Sequence, residues 1–169
     1  MIVLFIKARL ENVAKISLPL GHTYNLTVKD STGEDTREGV TVTSTHEEEL
    51  PGSKGSANFA LKWVRDSKHV AYLNVKEIEK ELKNKSKQKI TGCYTANDDG
   101  NFVGLVAFEC RGLDVIGWQP EDGFIVESTS GARFEDVDLS EKEWMDYDEK
   151  LGESIGIYDL EYKLEGVKV

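Results

Sequence analysis

Cysteine, proline, methionine and histidine are all scarce, with 2, 3, 2 and 3 copies among 169 residues. Cys93 and Cys110 form no C-x-x-C pair, so no disulfide framework is implied, and reduced thiols of a cytoplasmic or nuclear protein are expected. His22, His46 and His69 lie far apart, without a second ligand at metal-binding spacing, and each reads as an exposed or loop residue. The chain has no G-x-S-x-G elbow, no P-loop and no G-x-G-x-x-G turn, which removes the motifs for a serine nucleophile and for phosphate cradling. The apolar start, Met1 to Ile6, stops at Lys7, too early for a signal segment or a membrane span, and is expected to be a buried strand. Basic residues are also outnumbered: 21 against 31 acidic ones give a formal charge of -10. That is the wrong sign for holding a phosphate backbone, so neither a nucleic acid nor a membrane is expected as a partner.

What remains is an ordinary globular composition, 39% hydrophobic and 31% charged, for one domain or two small lobes sharing a core. A chain of this length buries roughly two thirds of its unfolded surface and does not depend on metals to fold. Apolar and polar residues alternate through Tyr24, Leu26 and Val28, through Val40 and Val42, through Phe59, Leu61 and Trp63, and through Tyr158, Leu160, Tyr162 and Leu164. The period of two predicts a mainly β, antiparallel protein. Two short helices are expected, one carrying Val75, Ile78 and Leu82, the other opened by a Ser140/Glu143 capping box and carrying Trp144 and Met145.

The two halves resemble each other. Phe5 to Val13 is similar to Phe108 to Val115 when Leu10 is set against Leu113, and Lys29 to Gly33 is similar to Glu127 to Gly131 at an offset of 98. The fold class expected is therefore two antiparallel β lobes about a pseudo-two-fold axis, with one or two short helices. Lobe one would span about 1–74, a charged connection 75–101, and lobe two 102–169.

Catalytic chemistry finds little support. Asp30-Ser31-Thr32-Gly33 has one residue too many for an aspartic-protease turn, and Ser128 stands where a second aspartate is needed. EF-hand spacing is unmet at Asp30 and Asp98. The acidic stretch from Glu135 to Glu149, which includes Asp148, reads as a solvated face, and the Lys80–Lys89 segment as a mobile charged loop.

Longer motifs point to a family. Glu109-Cys110-Arg111-Gly112-Leu113, Gln119-Pro120 with Gly123-Phe124, Phe134 to Leu139, Asp146 to Lys150 and Glu153 to Tyr158 resemble the eukaryotic CXXC-motif-containing zinc-binding proteins, as do Ala8 to Asn12 and Gly55 to Ala57. The resemblance covers nearly the whole chain. It implies a small, mainly β protein with zinc held by two C-x-x-C pairs in the first lobe. The positions matching those ligands are Asp30, Gly33, Trp63 and Asp66, and none is a cysteine. No bound zinc and no other cofactor is expected, because glycine and tryptophan offer zinc no donor. A buried Trp63 would contribute about 4 to 6 kcal/mol as an upper bound, in partial substitution for a metal clasp.

The function expected from these readings is non-enzymatic binding of another protein. Trp118, Gln119, Pro120, Phe124, Trp144 and Tyr147 are the candidate face, although a core role is the commoner fate of such aromatics. Two alternatives stand beside it. One is metal handling by Cys93, Cys110 or a weak site of Asp30, Asp66 and His69. The other is an enzyme whose titratable residues would be Glu109, Arg111 and His69.

Overall fold

The apolar N-terminal run is buried on both faces because it becomes a central strand: Val3, Leu4, Phe5 and Ile6 are all fully inaccessible. A computed structural model describes residues 1–169 except Ser53 and Asp66. Its strands are β1 (Ile2–Glu11), β2 (Val13–Ser17), β3 (Tyr24–Asp30), β4 (Thr36–Val42), β5 (Glu48–Glu49), β6 (Ser56–Ala57), β7 (Phe59–Leu61), β8 (Ala71–Glu77), β9 (Cys93–Thr95), β10 (Val103–Arg111), β11 (Leu113–Gln119), β12 (Phe124–Ser128), β13 (Arg133–Val137), β14 (Trp144–Asp148) and β15 (Glu153–Gly166). The fold is mainly β, as expected, and the named strands pair antiparallel throughout.

A six-stranded sheet runs β14-β15-β1-β10-β8-β7, beside a three-stranded sheet β11-β3-β4, a four-stranded sheet β13-β12-β2-β9 and a short β5-β6 pair. Outward from the central β1–β10 pair, each side of the large sheet adds one long strand and then an edge strand. The smaller sheets exchange partners between halves: β2 pairs with β12, and β11 pairs with β3. This order is compatible with a pseudo-two-fold axis between β1 and β10.

The corners occur at Asn12 and Gly112, which both take positive φ, +57° and +75°. Gly112 has little alternative, since a Cβ there would lie 3.1 Å from the Ala71 Cβ. Asn12 tolerates the same region and donates from its side-chain amide to the Ser154 carbonyl at 2.8 Å. The corners set an offset of 100 residues for β1 and β10, not the 103 suggested by aligning Leu10 with Leu113.

Inward-facing residues of all three larger sheets meet in one core, which holds Tyr24, Leu26 and Val28 of β3 with Phe108, Phe124 and Ile157, Tyr24 standing edge-on to Phe108 at 5.5 Å. On the opposite face of the large sheet, Val3, Phe5, Ile90, Ala107 and Val167 form a smaller cluster, against which Ile78, Leu82 and Phe102 pack. Tyr94, fully buried, ties the connection to β1. Its hydroxyl accepts from the Ala8 amide at 3.2 Å and lies 2.6 Å and 2.7 Å from the carbonyls of Asp98 and Asn101.

Neither predicted helix forms. Val75 belongs to β8, where Ala71, Leu73 and Val75 alternate into the core, while Ile78 and Leu82 turn to the opposite cluster. The spacing that suggested a helix joins residues serving two different cores. At Ser140 the apparent capping box is an aspartate turn: Asp138 Oδ1 accepts from the Ser140 amide at 2.9 Å, Lys142 has a φ of +64°, and Trp144 begins β14 opposite Ile157. The only helical element among the described residues is the 3₁₀ turn Ala96–Asp98.

The lysine-rich connection is not a free loop. The Leu82 amide donates to Ile90 O at 2.8 Å, and Gln88 Nε2 donates to Glu165 at 2.7 Å. Among the described residues no helix is long and apolar enough to cross a membrane.

Candidate functional site

The turn after β3 is organised by Asp30. Its amide donates to Asp35 O at 2.8 Å and its carbonyl accepts from Gly33 at 3.3 Å, closing the hairpin backbone. Its Oδ1 accepts from the Thr32 amide at 3.0 Å and the Thr32 hydroxyl at 3.1 Å. This is the aspartate-turn geometry that a short acidic side chain favours. A Cβ built on Gly33 would sit 3.0 Å from Asp30 Oδ2, so side chains at 30 and 33 converge on one point.

Trp63, just beyond β7, approaches from the other side. Its Nε1 donates to the Gly112 carbonyl at 3.0 Å, and the Ser31 amide donates to that oxygen at 3.4 Å. One carbonyl at the β10–β11 corner therefore joins the β3 turn to the segment after β7. The indole is half-buried and packs on the main core, so the full burial assumed for it overstates its contribution.

The second half closes the corresponding place differently. Ser128 donates its amide to Ala132 O and accepts from the Gly131 amide, at 2.8 Å and 2.9 Å, the same two roles that Asp30 plays. Thr129 donates to the Asn12 carbonyl at 3.0 Å, as Ser31 does to Gly112. Here, however, Asp148 from the end of β14 reaches in. Both Ser128 Oγ and Ser130 Oγ donate to its Oδ2, the latter at 2.6 Å, and its Oδ1 accepts from the amides of Lys150 and Leu151 at 3.0 Å and 3.4 Å. The residue is 1% exposed. Far from being part of a solvated acidic face, it is a buried carboxylate satisfied by neutral donors, and these hydrogen bonds, led by the two serine hydroxyls, hold it below the usual carboxylate range.

Three of the four ligand positions implied by the resemblance are described, and their donors are few. Gly33 has no donor, the Trp63 nitrogen carries a hydrogen already committed to Gly112, and Asp30 Oδ1 serves Thr32. Asp66 lies outside the described residues. Among those described, no three His, Cys, Asp or Glu side chains are grouped so as to hold a metal ion. Cys93 and Cys110 are free and partly buried, and burial pushes the Cys110 thiol up to about 12.

A cleft of about 720 Å³ opens beside Trp63, between the β3 turn and the segment before β8. Asp30, Trp63, His69 and Arg111 all line it, together with Lys68 and Tyr72, so positions remote in sequence do meet here. Glu109 does not line it and pairs instead with Lys76 at 3.2 Å. The aromatic face expected for a partner is divided. Trp118, Pro120 and Phe124 are buried, Gln119 is exposed, Trp144 packs on Phe134 with centroids 5.4 Å apart, and Tyr147 is exposed. His22 does lie in the loop before β3, but it is buried there, edge-on against Tyr24 at 4.8 Å, and burial lowers its pKa.

Comparison with known proteins agrees with the fold. The family model described as CXXC motif containing zinc binding protein, eukaryotic, matches residues 3–165. The chain belongs to this family. It is 36% identical over 166 residues to the human CXXC motif containing zinc binding protein, covering 96% of each chain, and equally so to the rat protein. A solved structure of a hypothetical protein from Plasmodium falciparum superposes with a TM-score of 0.83 at 32% identity, covering 97% of this chain and 98% of that one. A crystal structure of C1orf123 gives 0.80 at the same identity and coverage. The positions that the resemblance sets against zinc-ligand cysteines, 30, 33, 63 and 66, hold no cysteine in this chain.

Proposed function

We propose that this chain is a non-enzymatic, zinc-free binding protein, and that it receives another protein in the cleft beside Trp63. The observation that carries this reading is the Gly112 carbonyl, which joins the β3 turn to Trp63 by hydrogen bonds where cysteines would be joined by a metal. The cleft this leaves is rimmed by exposed residues, Pro51, Val64, Lys68, His69 and Arg111. Small-molecule sites enclose most of their ligand, whereas a half-open trough suits a segment of a partner chain. With free cysteines, no nucleic-acid footprint and strong net negative charge, a cytoplasmic or nuclear setting suits such a protein.

Metal content and melting test the first part. Native mass spectrometry of chelator-free protein should give the apo mass, and EDTA should leave the melting temperature unchanged; stoichiometric zinc would refute the zinc-free reading. A photo-crosslinking residue at Val64 tests the second part. It should trap one discrete protein species that the same group at exposed Glu141 does not trap, and identical labelling from both positions would refute the cleft.

A further inference from the structure

Among the described residues that line the cleft beside Trp63, two cations, Arg111 and Lys68, stand against one acid, Asp30, in a chain whose formal charge is -10. Neither Arg111 nor Lys68 forms an ion pair among the described residues. The described acid in the lining is Asp30, and one of its oxygens already accepts two hydrogen bonds from Thr32. An arginine held at the end of a central strand presents a planar fork that matches a carboxylate by two parallel hydrogen bonds. Beside it the Trp63 ring, pinned by its bond to Gly112, and the exposed Val64 supply an apolar floor. β7, which ends two residues before Trp63 and itself contributes no residue to the lining, is one of the two edge strands of the six-stranded sheet. An extended chain can align along such an edge.

We propose that the segment bound in this cleft is an acidic, extended peptide of a partner protein, with a carboxylate on Arg111 and Lys68 and an adjacent apolar side chain on Trp63 and Val64. This rests on the reading of the cleft as a protein-binding site and adds the chemical class of what enters it. Charge complementarity selects it: a basic segment would be attracted by the rest of the surface but repelled at the cleft itself.

The test uses the full chain and three fluorescent probes: a capped octapeptide alternating glutamate with leucine, its lysine twin, and a labelled benzoate as a bare anion. Anisotropy titrations should show the glutamate peptide binding at least tenfold tighter than the lysine twin. Arg111→Glu should weaken the glutamate peptide by about tenfold or more and strengthen the lysine twin, with Lys68→Glu acting in the same sense. Both positions are exposed, and matching melting curves will establish that the variants fold. Equal binding of the twins, or no effect of either reversal, overturns the proposal. Benzoate binding as tightly as the peptide with the same dependence on Arg111 also overturns it, in favour of a small anion. If Val64 crosslinks persist while no acidic peptide binds, the acidic assignment fails and the cleft reading survives; peptide binding without crosslinks fails the cleft reading alone.

Discussion

The two halves of this molecule solve one problem in two ways. In each, a hairpin turn must be fastened to a second segment beside the corner of the opposite half. At the second turn the fastener is a side chain, Asp148, which is buried and accepts four hydrogen bonds. At the first it is a main-chain oxygen, Gly112 O, and the space in front of it stays open as a cleft. Where a carboxylate closes the joint, its oxygens are taken up by four donors; where a carbonyl and an indole do so, a cleft lies beside them. The difference teaches that the fold needs a fastening at each turn but does not prescribe its chemistry.

The strongest way to break this comparison is to give the first turn a metal. Replacing Asp30, Gly33, Trp63 and Asp66 together by cysteine should produce a chain that takes up one zinc under reducing conditions and melts lower in EDTA. The gain should be a fraction of the roughly 10 to 16 kcal/mol seen when metal drives folding of small fingers. A variant that stays zinc-free by native mass spectrometry would mean the turn has lost its shape as well as its ligands.

Removing the indole comes next: Trp63→Ala should cost about 3 kcal/mol in urea unfolding, the low end for aromatic truncation because the ring is only half-buried. Trp63→Phe, which keeps the ring and loses the bond to Gly112, should cost about 1 kcal/mol.

The four-stranded sheet has one strand, β9, that the three-stranded sheet lacks, and Tyr94 fixes it. Tyr94→Phe should cost about 1 to 3 kcal/mol, because the Ala8 amide is left without its buried partner. An unchanged midpoint would show that the additional strand adds no rigidity.

The carboxylate fastening should reveal itself by pH. Asp148 is held below its ordinary value of 3.8, so the unfolded chain binds that proton more readily. Its contribution is therefore complete above about pH 5 and drains away as pH falls through and below 3.8. Asp148→Asn should lower the melting temperature at neutral pH, with a difference from wild type that shrinks toward pH 3. A difference constant across that range would remove the charge from the account.

The smallest effect expected is that of Arg111→Glu on stability, within about 0.5 kcal/mol, since this exposed side chain has no ion-pair partner among the described residues.

Much of this architecture was legible because strand alternation is local. Tyr24, Leu26 and Val28 declare their buried face without reference to anything distant, and the likeness of Lys29–Gly33 to Glu127–Gly131 located both turns. The helices misled for the opposite reason: Val75, Ile78 and Leu82 share a period only because two cores draw on one stretch of chain. The cleft was half visible. Motif positions led to Asp30 and Trp63, and titratable chemistry suggested His69 and Arg111, but nothing local said that β10 ends beside the β3 turn. Asp148 was hidden entirely among acidic neighbours, because its burial depends on Ser128, twenty positions earlier.

The exchange of strands between halves has a consequence for synthesis. β2 finds its β12 partner only after residue 124, and β3 finds β11 only after residue 113. A nascent chain that has emerged to the end of β8 thus still carries open sheet edges, and such long-range pairings are slow to form. The sheets of the first half are completed only by strands of the second, so a gene cut between them would encode two pieces that each lack partner strands.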